Sequence, residues 1–236
     1  MISSDQPTIF DNTIIAAVSS IKDGNMKKYN MPETVTKHTD ANRLAFMARL
    51  NIQVEQSVLV NMSYDRDDFT RYTTVEHSDC GGGMVGDKKI SVSDALMTIQ
   101  PGVALFLPLA DCVGAILYDP HNKVLMLSHL GRHNIEQNGA YESVQYMKKN
   151  ANIKPSNLQV WLSPSAGGKN YPLHAFDNKS QQQVVIEQLI EAGVVSGNIE
   201  ASSIDTTLDE NYFSHSEFLK DGSQPQGRFA IVAMIK

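Results

Sequence analysis

The stretch VALFLPLADCVGAILYDPHNKVLMLSH, residues 103–129, contains three closely spaced strand candidates and decides the fold. These candidates cover residues 103–109, 113–118 and 123–129. The segment DPHN between the last two is typical of a tight turn and favours a β-hairpin. Because Cys112 and His129 lie at similar distances from that turn, we expect the thiol and the imidazole to face each other at one end of the hairpin.

The flanking sequence supplies further strands and helices. Additional strands are predicted in TIIAAV, QSVLVNM, LQVWLSP and GRFAIVAMI, and the last of these is apolar on both faces, which predicts a central strand. Helices are predicted in ANRLAFMARL with Asp40 as its cap, over residues 135–149, and over residues 180–192 with a stop near Gly193. The pattern predicts the α/β class, as an α+β sandwich with mixed sheets flanked by helices, in one domain spanning residues 1–236.

Composition excludes several classes of protein. The chain has 236 residues and a net charge of −6, which argues against nucleic acid or an anionic membrane as the main partner. No apolar run reaches the roughly 18 residues of a membrane-spanning helix, and the N-terminus lacks the pattern of a signal peptide. Two cysteines do not make a disulfide scaffold, so we expect a cytoplasmic protein with reduced thiols.

Two chemistries use a thiol beside an imidazole. The pair can bind zinc together with a third protein ligand, or the imidazole can deprotonate the thiol to give a nucleophile. His77, in VEHSDCGGG, is available as a third ligand, and Cys80 as a fourth would close the site and make it structural. The alternative without chemistry is a cysteine packed as a small apolar residue and a histidine bonded to the backbone.

Several short sequence motifs of the chain resemble those of the bacterial laccase-domain proteins. That family includes polyphenol oxidases, peptidoglycan editing factors and purine nucleoside phosphorylases. LADCVGAIL is similar to TADCLPVLL, LSHLGRHN to AAHAGWRG, and VEHSD to QVHG of that family. VSDALMTIQPGVAL is similar to DALVTDQPGVAL, and ANRLAFMARLNI, WLSPSAGG and the C-terminal YFSHSEF and GRFAIVAMI segments also have counterparts in the same order. The resemblance therefore covers nearly the whole chain.

The resemblance implies a fold, a metal and an activity. It implies a sandwich similar to the catalytic domain of the cytotoxic necrotising factor toxins, and a zinc ion held by His77, Cys112 and His129; copper accepts the same ligands. It also implies phosphorolysis of adenosine, inosine or methylthioadenosine, or deamination of adenosine. The expected partners are a purine nucleoside and phosphate, and the expected state is a monomer or weak homodimer.

The chain departs from the family pattern where the family has arginines. HAGWRG has become HLGRHN, which makes Arg132 and His133 candidate catalytic residues together with Asp111. SYRR has become SHSE, so Arg43 and Arg228 are left as candidates for substrate binding. Two alternatives therefore stay open: a Cys–His hydrolase or amidase acting on a peptidoglycan precursor, and a weakened member of the family that binds a nucleoside.

Overall fold

A computed structural model describes residues 1–86 and 88–236 of the chain. Its strands are β1 Ile14–Val18, β2 Ser57–Leu59, β3 Tyr72–Thr74, β4 Ala95–Thr98, β5 Ala104–Leu109, β6 Val113–Asp119, β7 Val124–Leu130, β8 Gln159–Leu162, β9 Ile199–Ala201 and β10 Phe229–Ile235. Its α-helices are α1 Glu33–Thr36, α2 Thr39–Arg49, α3 Arg132–Glu136, α4 Gly139–Ala151, α5 Gln181–Glu191 and α6 His215–Asp221.

The strands form two mixed sheets. One has the order β1-β10-β5-β2 and the other the order β3-β4-β7-β6-β8-β9. The terminal strand β10 pairs antiparallel with both β1 and β5, which confirms that it is central. Strands β6 and β7 form the predicted antiparallel hairpin, with Gly114 opposite His129.

The two sheets pack face to face, and helices cover their outer faces. Leu107 of β5, Ile231 of β10, Ile116 of β6 and Leu127 of β7 belong to one buried cluster between the sheets. A second cluster joins the six-stranded sheet to α4 and α5, and a third joins the four-stranded sheet to α2. Because each sheet places alternate side chains on opposite faces, both faces of both sheets are buried, as the apolar strands require.

The helices differ from the predicted ones in two places. The helix predicted over residues 135–149 is two helices, α3 and α4, separated where Asn138 takes a left-handed conformation with φ of 61°. Asp40 lies in the first turn of α2, and His38 precedes that helix. The predicted helix at residues 180–192 is confirmed as α5, and Ser180 caps it by accepting a hydrogen bond from the Gln183 amide.

The topology brings several strand ends to one edge of the sandwich, which we call the cleft edge. Strand β5 ends there at Leu109, β6 begins there at Val113, and β7 ends there at Leu130. Since β2 runs parallel to β5, the segment that follows Leu59 also starts at this edge. In the described part of the chain, no helix has the length and apolar character needed to cross a membrane.

Candidate active site

A cleft of about 260 Å³ opens at the cleft edge. Its wall includes Cys112 from the turn between β5 and β6, and Arg132 and His133 from the start of α3. Tyr64 and Tyr171 also line it, as does His215 at the start of α6. The cleft therefore collects thiol, imidazole, guanidinium and aromatic side chains from segments that are far apart in sequence.

Cys112 and His129 lie side by side, as the hairpin predicts. Gly131 packs against both, and a Cβ atom built on it would lie 2.9 Å from Sγ of Cys112 and 3.3 Å from Nε2 of His129. Any side chain at position 131 would clash with both groups, so the close approach of sulfur and ring requires glycine there.

Burial keeps both members of this pair neutral. Burial, followed by the neighbouring Asp111 carboxylate, raises the pKa of the Cys112 thiol to about 12. Burial, followed by the Lys27 charge, lowers the pKa of His129 to about 3. Among the described residues, Nδ1 of His129 is buried and has no hydrogen-bond partner. The thiol is therefore not an ion-paired nucleophile in this arrangement.

His77 does not join this pair, which corrects the expected set of three metal ligands. Its backbone N–H donates to the Gln100 side chain, and its Nε2 lies 3.9 Å from the Cβ position of Gly102. Gly102 precedes β5 whereas Cys112 follows it, and β5 spans about 17 Å at a rise of ~3.3 Å per residue. His77 is therefore at the opposite edge of the sandwich, and it is exposed.

Tyr64 lines the cleft but was not predicted from the sequence as a site residue. It belongs to the segment that follows β2, and β2 ends at the cleft edge because it is parallel to β5. The side chain is 58% exposed and lies 5.9 Å from the Phe69 ring, measured between centroids. Knowledge that β2 pairs parallel with β5 would have located Tyr64 at the cleft. A three-residue strand does not allow that pairing to be predicted from sequence.

The donor set does not fit a metal ion held by three protein ligands. Cys112 and His129 supply a sulfur and an imidazole, and the unpartnered Nδ1 of His129 is compatible with a ligand. However, among residues 1–86 and 88–236, no three His, Cys, Asp or Glu side chains are placed to hold one ion. Zinc sites in proteins need at least three such donors, and Cys112 and His129 supply only two.

Two cations outside the cleft lining, Lys27 and Arg228, act electrostatically on the Cys112 thiol. Burial lowers the pKa of Lys27, and so does the nearby Arg228, while the Cys112 thiolate would raise it. Burial likewise lowers the pKa of Arg228, which Cys112 and Asp111 oppose. Arg228 donates to the Gly227 carbonyl through Nη1. Two partly buried cations that act on the same group favour the binding of an anion near it.

Asp111 lines the cleft and also binds two neighbouring segments of the chain. It is buried and left-handed, with φ of 70°. Its Oδ1 accepts a hydrogen bond from the Thr206 hydroxyl at 2.8 Å, and its Oδ2 accepts one from the Ser216 backbone N–H at 2.7 Å. Asp111 therefore ties the β5–β6 turn to the start of α6, which makes it a positioning residue and leaves its predicted catalytic role a proposal.

Two histidines, His133 and His215, line the cleft. His133 stacks on Phe69, with 4.8 Å between the ring centroids, and lies 6.1 Å from the Tyr64 ring. His215 has a buried Nδ1 without a hydrogen-bond partner in the described part of the chain. Burial, then the neighbouring Arg228, lowers the pKa of His215 below its usual value. His133 was predicted from sequence; His215 was not named as a site residue.

The remaining candidates lie in three different places. Arg132 is exposed at the rim of the cleft. Arg43 is 1% exposed and lies outside the cleft, where Nε donates to the Met26 carbonyl and Nη1 to the Gly83 carbonyl. Cys80 donates its thiol hydrogen to the Gln56 carbonyl and does not line the cleft.

Comparison with known proteins identifies the family. The family model described as multi-copper polyphenol oxidoreductase laccase matches residues 19–184. The chain belongs to this family. The family's name associates it with a metal, whereas the described residues of this member include no group of three His, Cys, Asp or Glu side chains placed to hold one.

Individual relatives of this laccase-family chain are distant. A purine nucleoside phosphorylase of Corynebacterium glutamicum is 33% identical over 82 residues, which are 35% of this chain; the match spans only 33% of that curated relative. The crystal structure of the Bacillus licheniformis hypothetical protein YfiH has a TM-score of 0.83 and 21% identity, over 95% of this chain and 94% of that one. YlmD of Geobacillus stearothermophilus has a TM-score of 0.82 and 21% identity, over 95% and 93%. These two structures confirm the fold.

Proposed function

We propose that the cleft catalyses phosphorolysis of a purine nucleoside. The observation that carries the proposal is the charge of two partly buried cations, Lys27 and Arg228, which acts on Cys112 in the wall of a cleft that Tyr64 and Tyr171 also line. Phosphorolysis needs a held phosphate and a held planar base, and these cations near the cleft suit the first and the aromatic rings of its wall suit the second. The relative named purine nucleoside phosphorylase supports the same choice.

In the proposed step, phosphate bound by Lys27 and Arg228 attacks C1′ of the nucleoside. A C1′–O bond forms while the C1′–N9 bond breaks, and its electron pair goes to the departing purine. His133 donates a proton to N7 of the base, and solvent later returns one to His133. The products are the free purine and the pentose 1-phosphate. His215, kept neutral by burial, is placed to hydrogen-bond a ribose hydroxyl.

Two other chemistries are less well supported by the geometry. Adenosine deamination uses a hydroxide activated by a metal ion that is held by three protein ligands, and only two of the expected three meet here. A Cys–His hydrolase needs an accessible thiolate, and the pKa of Cys112 at about 12 leaves the thiol protonated. Phosphorolysis depends on positioning and charge, which these residues supply.

The experiment is incubation of the purified protein with inosine, with and without phosphate, and measurement of hypoxanthine. We expect release only with phosphate. Lys27→Met should lower kcat/KM by about ten- to a hundred-fold, because one of the two cations is lost. Lys149→Met, a change of an exposed lysine at the end of α4, should leave the rate unchanged. No release of base at high enzyme concentration would reject the proposal.

A further inference from the structure

A second and larger cavity lies next to the cleft. Its volume is about 670 Å³, within the range of small-molecule sites, and Tyr64 lines both spaces. We call it the basic cavity because four cations line it and Asp65 is the one acidic side chain in its described lining. The four cations are Lys27, Arg43, Lys88 and Lys89.

Arg43 gives this cavity a fixed and incompletely bonded guanidinium. Its Nε and Nη1 donate to the carbonyls of Met26 and Gly83, and its carbon lies 5.4 Å from the Phe106 ring centroid. The residue is 1% exposed, and within the described residues its Nη2 is buried without a partner. Burial lowers the pKa of Arg43 to about 10, so it remains charged at neutral pH. An unpaired buried guanidinium nitrogen is costly unless a ligand accepts from it.

The lysines of the basic cavity differ in whether the protein already binds their ammonium groups. Lys88 is bound to the protein, since its ammonium donates to the carbonyls of Ser78 and Cys80 at 2.6 Å. Lys89 is exposed at the rim. Tyr29, Met62 and Val92 give the wall an aromatic and apolar part suited to the organic portion of a ligand.

We propose that the basic cavity binds a phosphate monoester, with Arg43 and Lys89 as its anion-binding residues. The phosphate has two sources: it belongs to a nucleotide whose base lies in the cleft, or to a separate ligand confined to the cavity. A guanidinium fixed by two carbonyls is preorganised for phosphate oxygens, and the excess of cations over Asp65 favours an anion. The proposal goes beyond phosphorolysis and does not depend on it.

Calorimetry with AMP, adenosine and inorganic phosphate tests this site without turnover. We expect AMP to bind at least about ten-fold more tightly than adenosine, and more weakly as salt is raised. Competition by adenosine against AMP would assign the phosphate to a nucleotide that spans both spaces. AMP binding unaffected by adenosine would assign it to a separate ligand. Equal binding of AMP and adenosine, with no measurable binding of phosphate, would overturn the proposal.

Matched variants connect the binding to the residues. Lys89→Glu should weaken AMP by about three- to ten-fold and leave adenosine binding and the rate of inosine phosphorolysis unchanged. Lys149→Glu, the same change on an exposed lysine of α4, should not affect AMP. Arg43→Gln should weaken AMP more strongly. Since that buried residue also supports the fold, its circular dichroism spectrum is checked first, and Lys89→Glu decides the proposal if Arg43→Gln unfolds. An unchanged AMP affinity in Lys89→Glu would contradict the assignment.

Discussion

The Asp111 carboxylate accepts a hydrogen bond from the Ser216 backbone N–H at 2.7 Å, which joins the turn after β5 to the first turn of α6. Its other oxygen accepts from the Thr206 hydroxyl. These contacts position His215, which lines the cleft together with Asp111. A positioning role makes a different prediction from a catalytic one.

Asp111→Asn should be tolerated, because asparagine adopts the left-handed conformation and can accept from Ser216 while donating to Thr206. Asp111→Ala should lower the free energy of unfolding by about 3 kcal/mol, because it leaves two buried donors unpaired and disfavours the positive φ. Urea denaturation measures both. In the phosphorolysis assay, Asp111→Asn should raise KM with little change in kcat. An equally large decrease in kcat in both variants would show that the carboxylate is catalytic.

Gly131→Ala tests the packing of the thiol against the imidazole. The new Cβ would lie 2.9 Å from Sγ of Cys112 and 3.0 Å from Cε1 of His129. We expect a loss of about 1–3 kcal/mol in the free energy of unfolding, since neither group can move freely in the core. Gly197→Ala is the control, because its Cβ would meet no atom within 4 Å and its φ is not positive. Equal stability of the two variants would mean that the pair is looser than the structure shows.

The buried His129 predicts a defined loss of stability in acid. Its pKa in the fold is about 3, below the ordinary value of 6.5, so the folded state favours the neutral ring. Its contribution is present above pH 6.5 and falls as the pH drops toward 3. Because of this histidine, lowering the pH from 7 to 5 should lower the free energy of unfolding by about 2 kcal/mol. His129→Gln removes this group, so the difference in unfolding free energy between wild type and variant should shrink by that amount from pH 7 to pH 5. The same pH dependence of stability in both proteins would contradict the prediction.

The incomplete donor set predicts weak zinc binding. Wild-type protein should lose zinc during dialysis against a chelator, because only Cys112 and His129 meet. Tyr64→His places a second imidazole on the cleft wall and should raise zinc affinity by about ten-fold or more in a competition assay with a chelating dye. His77→Ala should change nothing, because His77 lies at the other edge. A fall in zinc affinity in that variant would reinstate His77 as a ligand.

Local patterns in the sequence predicted the hairpin and most strands of the core, but not the buried strand β4. The β6–β7 pairing follows from the DPHN turn and from apolar runs of matched length, so Cys112 and His129 were placed correctly. The central position of β10 follows from its apolar character on both faces. The interruption between α3 and α4 was missed, because it depends on a single left-handed residue, Asn138, inside an otherwise helical pattern.

The residue that completes the site beside Cys112 and His129 could not be predicted from local patterns. His77 looked suitable because it follows a strand, but β3 ends at the edge away from the cleft. Tyr64 follows β2, which ends at the correct edge. Which edge a strand end reaches depends on long-range pairing, and one sequence carries no direct signal for it. His215 likewise reaches the cleft, and Lys27 the neighbouring basic cavity, only through tertiary packing.

Phosphorolysis is tested most directly by ³¹P NMR of the protein with inosine and inorganic phosphate. The proposed reaction predicts a new sugar phosphate signal that grows in step with free hypoxanthine, and its loss in Lys27→Met but not in Lys149→Met. Hypoxanthine formed without any sugar phosphate, or neither product at high enzyme concentration, would contradict phosphorolysis.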